Sequence, residues 1–302
     1  MKAKVTIGLC VKNSDSTIKE TLDSIFDQDF PCNLMELIVV DDGSEDRTLE
    51  IVKSKLEGAG IRSRIFCENK GLGNARQTVV DNASGEYIIW VDGDMTISKS
   101  YIKKTVEFME QNPKVGIAKG IRSIKCDRNI LATLVILSTY AETSINYQSE
   151  NAYSKTLGTG GSIYRSEAIK QVGGFDRDLR YYCEDWDAEI KITSSGWLRA
   201  ITNVEFGDHE RIRLAQKDLW RKYWLRGYYT HYFLHKRPGL VKHYRMFPPA
   251  AFLAGLLNAL KVLKLTQKKE FSLLPFFYVF KSVAFYVGFI HSHLNSYEPK
   301  AS

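Results

Sequence analysis

The feature that most constrains this chain is an alternation in its first hundred residues: short apolar runs ending in polar or acidic residues, each followed by apolar residues at helical spacing. Val5 to Val11 alternates, reaches Asn13, Ser14 and Asp15, and is followed by Ile18, Leu22, Ile25 and Phe26. This reads as a strand and then a helix that those three polar residues would cap. Leu37 to Val40 is continuously apolar, as a strand buried on both faces must be. It runs into Asp41, Asp42, Gly43 and Ser44 before a second amphipathic helix through Leu49, Ile51, Val52 and Leu56. Ile61 to Cys67 predicts a third strand, Leu72 to Ala83 a third helix, and Tyr87 to Val91 a fourth strand ending at Asp92, Gly93 and Asp94. Strands alternating with helices through short loops predict an α/β fold, a mostly parallel sheet flanked by helices. Right-handed crossovers then place the carboxyl ends of the strands on one edge, where open sheets of this kind bind ligands.

Two acidic clusters fall at that edge. Each alone has a plain reading: Asp42 and Ser44 can cap the next helix, and Asp92 with Gly93 can be a turn. Together, after two buried strands, they point to a site. Two aspartates separated by one glycine can reach one hard divalent cation, and Mg²⁺ or Mn²⁺ favours a few carboxylates completed by phosphate oxygens and water. A nucleoside diphosphate would supply those oxygens, and the first cluster is placed to accept hydrogen bonds from a base or ribose. No GxxxxGK[ST] occurs, and Gly71 and Gly73 lack the spacing of a dinucleotide fingerprint.

With 44% hydrophobic and 25% charged side chains over 302 residues, disorder, collagen and coiled coil are excluded as the main architecture. The five cysteines are scattered, with neither a CxxC pair nor a Cys/His cluster, so a disulfide scaffold and a zinc site are disfavoured and a reducing compartment is expected. The N-terminus shows no secretory pattern, so the chain is expected on the cytoplasmic side.

The formal charge of +7 is local: 16 basic residues face 6 acidic ones after residue 200, against 26 and 29 before it. From Arg211 to Arg245 the basic residues are interleaved with aromatics such as Trp220, Tyr223, Trp224, Tyr228, Tyr229 and Phe233. That mixture suits lipid headgroups, and also nucleic acid. Phe247 to Leu260 and Phe271 to Ile290 are then apolar enough to enter a bilayer, which favours the membrane over nucleic acid. The first is short of the roughly 20 residues of a crossing, and the second carries Lys281 at its middle and Pro275 near its start. The expectation is a basic, aromatic, helical membrane-associating region lying in the plane or as a short hairpin, with a soluble helical subdomain as the alternative.

In chain order, VTIGLCVKN, LIVVDDGSEDRT, ENKGLGNARQTVVDNASGEYIIWVDGDM, GTGGSIYRSEAIKQVGGFD and YCEDWDAEIKITSSGW resemble the family 2 glycosyltransferases, inverting enzymes of the GT-A (Rossmann-like) fold that use nucleotide-diphosphate sugars. The likeness covers about residues 4 to 210. It implies a catalytic domain over 1–210, with a nucleotide-sugar part to about 98 and an acceptor part beyond it, followed by the tail 211–302. It also implies a divalent cofactor, Mn²⁺ or Mg²⁺, a UDP-sugar donor with GDP and dTDP as alternatives, and a lipid-linked or glycan acceptor at the cytoplasmic face of the membrane. By the resemblance, Asp42, with Asp41 beside it, contacts the base, and Arg76 lies by the base or diphosphate. Asp94 ligates the metal, and Asp92 contacts the ribose or the metal's shell. Asp185 is the catalytic base, which takes the proton of an acceptor hydroxyl as it attacks the anomeric carbon. Glu184 orients it or binds an acceptor hydroxyl. Gly160 and Gly161 let the acceptor sugar approach, or simply form a turn beside a strand. His209 resembles a ligand of metal or diphosphate, or is a plain hydrogen-bonding residue. Gln77 stands where many relatives have Asn, while Asp187 and Glu189 are expected on a helix surface.

Processive synthases of this family carry QxxRW. Here Gln216 to Trp220 keeps the frame with Leu219 in the Arg position, which favours transfer of one sugar or a few. A nucleotidyltransferase would need a glycine-rich basic loop after the first strand, where this chain has Val11 to Asp15. A noncatalytic membrane scaffold would be expected to lose Asp185 or the Asp92 and Asp94 pair, and all three are present. The apolar run Ile130 to Leu137 is open to three readings: core, membrane-facing lid or dimer contact.

Overall fold

In a computed structural model of the chain the alternation becomes β1 (Val5–Val11), α1 (Ile18–Phe26), β2 (Met35–Asp41), α2 (Thr48–Leu56), β3 (Arg62–Cys67), α3 (Leu72–Asn82) and β4 (Tyr87–Asp92). There follow β5 (Met95–Ile97), α4 (Tyr101–Gln111), β6 (Val115–Arg122), α5 (Ile130–Thr143), β7 (Ser162–Arg165), α6 (Ser166–Gln171), α7 (Glu184–Ser194) and β8 (Leu198–Asp208). The chain closes with α8 (Gln216–Lys236), α9 (Pro248–Thr266) and α10 (Leu274–Leu294). The structure describes residues 3–122, 130–143, 156–208, 215–237, 248–266 and 269–295. It divides into two units, Met1–Ser123 with Lys155–Glu210 and Ile124–Ser154 with Arg211–Ser302.

The first unit is built on one sheet of order β3-β2-β1-β4-β7-β6-β8-β5. Its first half is parallel, β1 lying between β2 and β4 with Val5 opposite both Met35 and Tyr87. All seven residues of β2 are buried, which is why its sequence does not alternate. The second half is mixed: β7 runs antiparallel to β4 and to β6, β8 parallel to β6, and β5 antiparallel to β8. Ile7, Leu9, Leu22, Leu37, Ile89 and Ile102 belong to the core packed on this sheet.

Asn13, Ser14 and Asp15 do not cap α1. The helix starts at Ile18, and its N-cap Thr17 makes no side-chain capping bond. The three residues lock the β1–α1 turn onto the β2–α2 loop instead. Asn13 Oδ1 accepts the Glu45 N–H at 2.8 Å, the Ser14 N–H reaches Thr48 Oγ1 at 2.7 Å, and the Asp15 N–H reaches Asp46 Oδ2 at 3.1 Å. The Asn13 side-chain oxygen that could have capped the first turn is thus taken by a long-range donor, and the Ser14 carbonyl accepts the Thr17 and Ile18 N–H groups instead.

At the opposite edge of the sheet Glu36 is a buried carboxylate that accepts Thr6 Oγ1 at 2.6 Å, Ser84 N at 2.6 Å and Arg62 Nη2 at 2.7 Å. Burial alone would raise its pKa, but these bonds and the Arg62 charge hold it below the ordinary value. Its contribution is therefore complete above the unfolded pKa and lost as pH falls through the lower folded one. Glu36→Ala is expected to lose about 3 kcal/mol of unfolding free energy at pH 7, and less near pH 3, by denaturant titration at both pH values.

In the second unit Leu134, Val135 and Leu137 of α5 pack in one cluster with Leu219, Tyr223, Ala251, Ala259, Leu274 and Phe277. From Ala132 to Leu137 the run is thus core of this unit, while Ile130 at its start is exposed. Four aromatics of α8, Tyr223, Tyr228, Tyr229 and Phe233, are buried. Backbone meets backbone where α8 crosses α10: a Cβ on Gly227 would overlap the Phe285 carbonyl, and one on Gly288 the Trp224 carbonyl. Lys281 faces inward over Tyr278, Tyr223 and Phe277 at 4.6, 5.4 and 5.6 Å from their centroids. Its charge thus meets aromatic faces, a favourable cation–π arrangement. The stretch Glu270–Leu294, with mean hydropathy 1.7, is long and apolar enough to cross a membrane by length and composition; Pro248–Leu260 is apolar but shorter.

Candidate active site

The acidic ends of β2 and β4 lie on one edge of the sheet, flanking β1: Asp41 is opposite Val11, and Asp92 opposite Cys10. Two strand spacings, roughly 10 Å, separate them. Asp41 Oδ1 accepts the Ser44 N–H at 2.8 Å. Asp42 Oδ1 accepts the N–H groups of Lys70 and Gly71 at 2.9 and 2.8 Å, so this buried carboxylate folds the β3–α3 loop toward its own strand. Gly71 and Gly73 serve packing: their Cα faces meet Arg180 and the carbonyls of Asp176 and Leu179, where a Cβ would collide. Cys10, beside these carboxylates, is pushed up to about 12 by burial, with Asp92, Asp42 and Glu184 adding to the rise and Arg76 opposing it.

Arg76 lies between two carboxylates. Its Nη1 contacts Glu184 Oε1, and its Nη2 is 3.7 Å from Asp92 Oδ1. Burial alone would lower its pKa, but Glu184, Asp92 and Asp185 raise it above the ordinary value. Burial lifts the Glu184 carboxyl to about 7, a rise opposed by Arg76 and reinforced by Asp185 and Asp92. The two partners pull in opposite directions here. A guanidinium keeps its proton, so the direction that stands is a raised Glu184 beside a charged Arg76.

Asp185 sits in the first turn of α7, after Cys183, whose φ of +73° is left-handed. Its Oδ1 accepts the Trp186 N–H at 2.8 Å. Its Oδ2 is 3.3 Å from where a Cβ on Gly158 would stand, and Lys119 Nζ is 3.4 Å from that same point. Two residues on, a Cβ on Gly160 would overlap Asp92 Oδ2, and Gly161, at φ +70°, lies against the Phe206 ring. One glycine turn therefore abuts both Asp185 and Asp92.

Glu189 holds that turn in place, a role the sequence reading missed. It accepts Thr156 Oγ1 and the Leu157 N–H, both at 2.7 Å, and pairs with Arg199. Asp187 pairs with Lys191 at 3.1 Å. Both acids are buried, which corrects the expectation of a helix surface: two residues apart they lie on different faces of α7, and Glu189 is covered by the 156–157 segment and Arg199. The i, i+2 and i+4 spacing of Glu or Asp at 185, 187 and 189 carries no signal that separates a solvated face from a buried polar one. Gln77 accepts the Phe175 N–H at 2.6 Å and fixes the turn at Gly173 and Gly174.

Asp94 is half-buried on the turn after β4, with Gly93 between it and Asp92. The Gly93 carbonyl is held by the hydroxyls of Thr17 and Thr21 at 2.8 and 3.1 Å, which pins the turn to α1. His209 lies outside the described residues. Among the described residues no three His, Cys, Asp or Glu side chains converge as a metal cluster. Two carboxylates on one pinned turn fit a cation of the Mg²⁺ or Mn²⁺ type, which is commonly held by one or two carboxylates with phosphate oxygens and water completing the shell.

Comparison with known proteins agrees with this layout. The family model described as Glycosyl transferase family 2 matches residues 6–173, more than half of the chain. Poly-beta-1,6-N-acetyl-D-glucosamine synthase of Staphylococcus epidermidis is 23% identical over 234 residues, 73% of this chain and 56% of its own length. Poly(ribitol-phosphate) beta-N-acetylglucosaminyltransferase TarS of Staphylococcus aureus is 35% identical over 175 residues, 56% of this chain and 30% of its own. The chain thus spans about half or less of these relatives' length. Among solved structures, mannosyltransferase PcManGT from Pyrobaculum calidifontis, in complex with GDP-Man and Mn²⁺, has a TM-score of 0.66 at 18% identity, covering 98% of this chain and 88% of its own. TarS 1–349 with UDP has a TM-score of 0.55 at 17% identity, covering 97% and 92%. These two likenesses show the fold, an eight-stranded mixed sheet flanked by helices of the GT-A kind. With the matched segment running from β1 through the two acidic strand ends to the glycine turn and beyond, the chain belongs to glycosyl transferase family 2.

Proposed function

We propose that the chain transfers a sugar from a nucleotide-diphosphate sugar, most simply a UDP-sugar, to a hydroxyl of a lipid-linked or glycan acceptor, with inversion and one or a few sugars at a time. The observation that carries this is the glycine turn 158–161, which abuts Asp185 on one side and Asp92 on the other and so sets a base beside the donor's edge of the sheet. Asp185 takes the proton as the acceptor oxygen bonds to the anomeric carbon and the bond from that carbon to the diphosphate oxygen breaks. Attack opposite the leaving group gives inversion. Asp42 and Asp41 line the nucleotide end. Asp94 and Asp92 would hold the Mn²⁺ or Mg²⁺, which when bound supplies charge neutralisation for the departing diphosphate. PcManGT with GDP-Man and Mn²⁺ and TarS with UDP support the donor class and the metal. The relatives, a poly-beta-1,6-N-acetyl-D-glucosamine synthase and a poly(ribitol-phosphate) beta-N-acetylglucosaminyltransferase, support a polymeric or glycan acceptor. Leu219, in the position of the processive Arg, is buried in the core of the second unit, which supports the non-processive reading.

Purified protein incubated with UDP-, GDP- and dTDP-sugars plus Mn²⁺ is expected to release the nucleoside diphosphate from one donor, and to stop with chelator or with Asp94→Asn. No release and no donor binding by calorimetry would favour a noncatalytic scaffold on the same fold.

The same reading places the chain at the cytoplasmic membrane face. Leu253, Leu256, Leu257 and Leu260 of α9 and Phe276, Val287 and Ile290 of α10 are exposed, while Lys281 is turned inward. Exposed apolar residues on two adjoining helices support a lipid contact. The double variant Leu253→Lys, Leu257→Lys is expected to lose at least tenfold in sedimentation with anionic vesicles, since each cation resists the apolar phase. Unchanged sedimentation would remove the membrane from the proposal.

A further inference from the structure

We propose that Arg76 and Glu184 act as one positioning strut that fixes Asp185 relative to Asp92, neither of them touching the reacting atoms. The inference rests on the reading of Asp185 as the base.

Three observations carry it. The Arg76 guanidinium is already engaged, on Glu184 from one side and near Asp92 from the other, and the two paired side chains are 7% and 3% exposed. An arginine that received a diphosphate would need an open face. Second, α7 has no side-chain N-cap, and it begins directly after Cys183 in a left-handed conformation that is unfavourable for a residue with a Cβ. Such a turn persists when its surroundings over-determine it. Directly beside it Glu184, the first residue of the helix, grips Arg76 from α3, while the Cys183 carbonyl accepts the Asp187 N–H at 2.9 Å. Asp185 follows it directly, so the strut sets where the base stands. Third, the buried Glu184 Oε2, Tyr164 hydroxyl and Trp90 Nε1 have no hydrogen-bond partner. Glu189, Asp185, Arg76 and Glu184 are the charged neighbours of Tyr164, and the Trp90 ring packs edge-on to it at 6.1 Å. Glu184 Oε2 as an acceptor and the Tyr164 hydroxyl as a donor, both buried and without a partner, are groups that one buried water would join beside the pair. The strut thus runs from the end of β4 through α3 to the start of α7, joining the donor edge to the base.

The test compares Glu184→Gln, Arg76→Lys and the double variant with the parent. Nucleoside diphosphate release is measured with the donor chosen above, UDP and GDP affinity with Mn²⁺ by calorimetry, and folding by thermal midpoint. Each single variant is expected to lower turnover about tenfold with nucleotide affinity held within about twofold, and the double to fall no further than the worse single, because residues acting as a unit are non-additive. Turnover of Glu184→Gln at the parent rate would overturn the proposal. So would multiplicative losses in the double, or a loss of UDP affinity in Arg76→Lys matching its loss of rate, which would put Arg76 on the diphosphate. If a variant at either position unfolds, Tyr164→Phe, which removes one hydroxyl, decides: a several-fold drop in turnover at unchanged affinity and midpoint supports the network, and an unchanged rate sinks it. Parental turnover in Asp185→Asn would instead strike the base assignment itself, which separates that failure from failure of the strut.

Discussion

Asp185→Asn is expected to lower turnover about a thousandfold while leaving nucleotide affinity within about twofold, because general-base catalysis contributes factors of this order. The substitution is nearly isosteric. The amide oxygen can still accept the Trp186 N–H that orients the native side chain, so α7 should keep its first turn. What is lost is the carboxylate charge and the basicity that lets it take a proton. Nucleoside diphosphate release measured against calorimetric UDP binding checks both halves, and a parallel loss of binding would mean that Asp185 serves the donor instead.

The second large effect is structural. Gly227→Val is expected to cost several kcal/mol of stability and lower the thermal midpoint by about 10 °C or more, by calorimetry in detergent or in buffer. A Cβ in a helix interior would ordinarily be worth up to about 1 kcal/mol in favour of Ala over Gly. Here it would overlap the Phe285 carbonyl, and backbone cannot swing aside as a side-chain tip can. Gly58→Ala provides the contrast, since nothing lies within 4 Å of a Cβ there. At φ +86° it is strained, but it should cost only about 1 kcal/mol.

The parallel half of the sheet was legible because β1, β2 and β4 are mostly apolar runs of six or seven residues, and helices follow β1, β2 and β3. The mixed half was not. β5 has three residues and β7 four, too short for any period to show, and β7 enters between β4 and β6 from far along the chain. Within the site, the strand-end aspartates could be read because topology alone puts them on one edge. The Arg76–Glu184 contact could not, for 108 residues separate the partners and neither motif mentions the other. Glu189 was misjudged for a related reason: an acid on a polar helix looks solvated until the loop it holds is known. The tail was legible in composition but not in orientation. Lys281 counts against a bilayer segment by sequence and turns out to face three aromatic rings of its own unit.

The discontinuity of the second unit bears on how the chain is made. During synthesis at about 5 to 20 residues per second, α5 emerges roughly a hundred residues, and so some 5 to 20 seconds, before α9. For that interval Leu134, Val135 and Leu137 lack the α9 and α10 residues that share their cluster in the finished protein, while the strands on either side of them in sequence can already pair. A nascent chain in this state carries an adhesive apolar helix tethered to a nearly complete sheet. Slower translation between α5 and α9 is therefore expected to lower the yield of folded protein by prolonging that exposure.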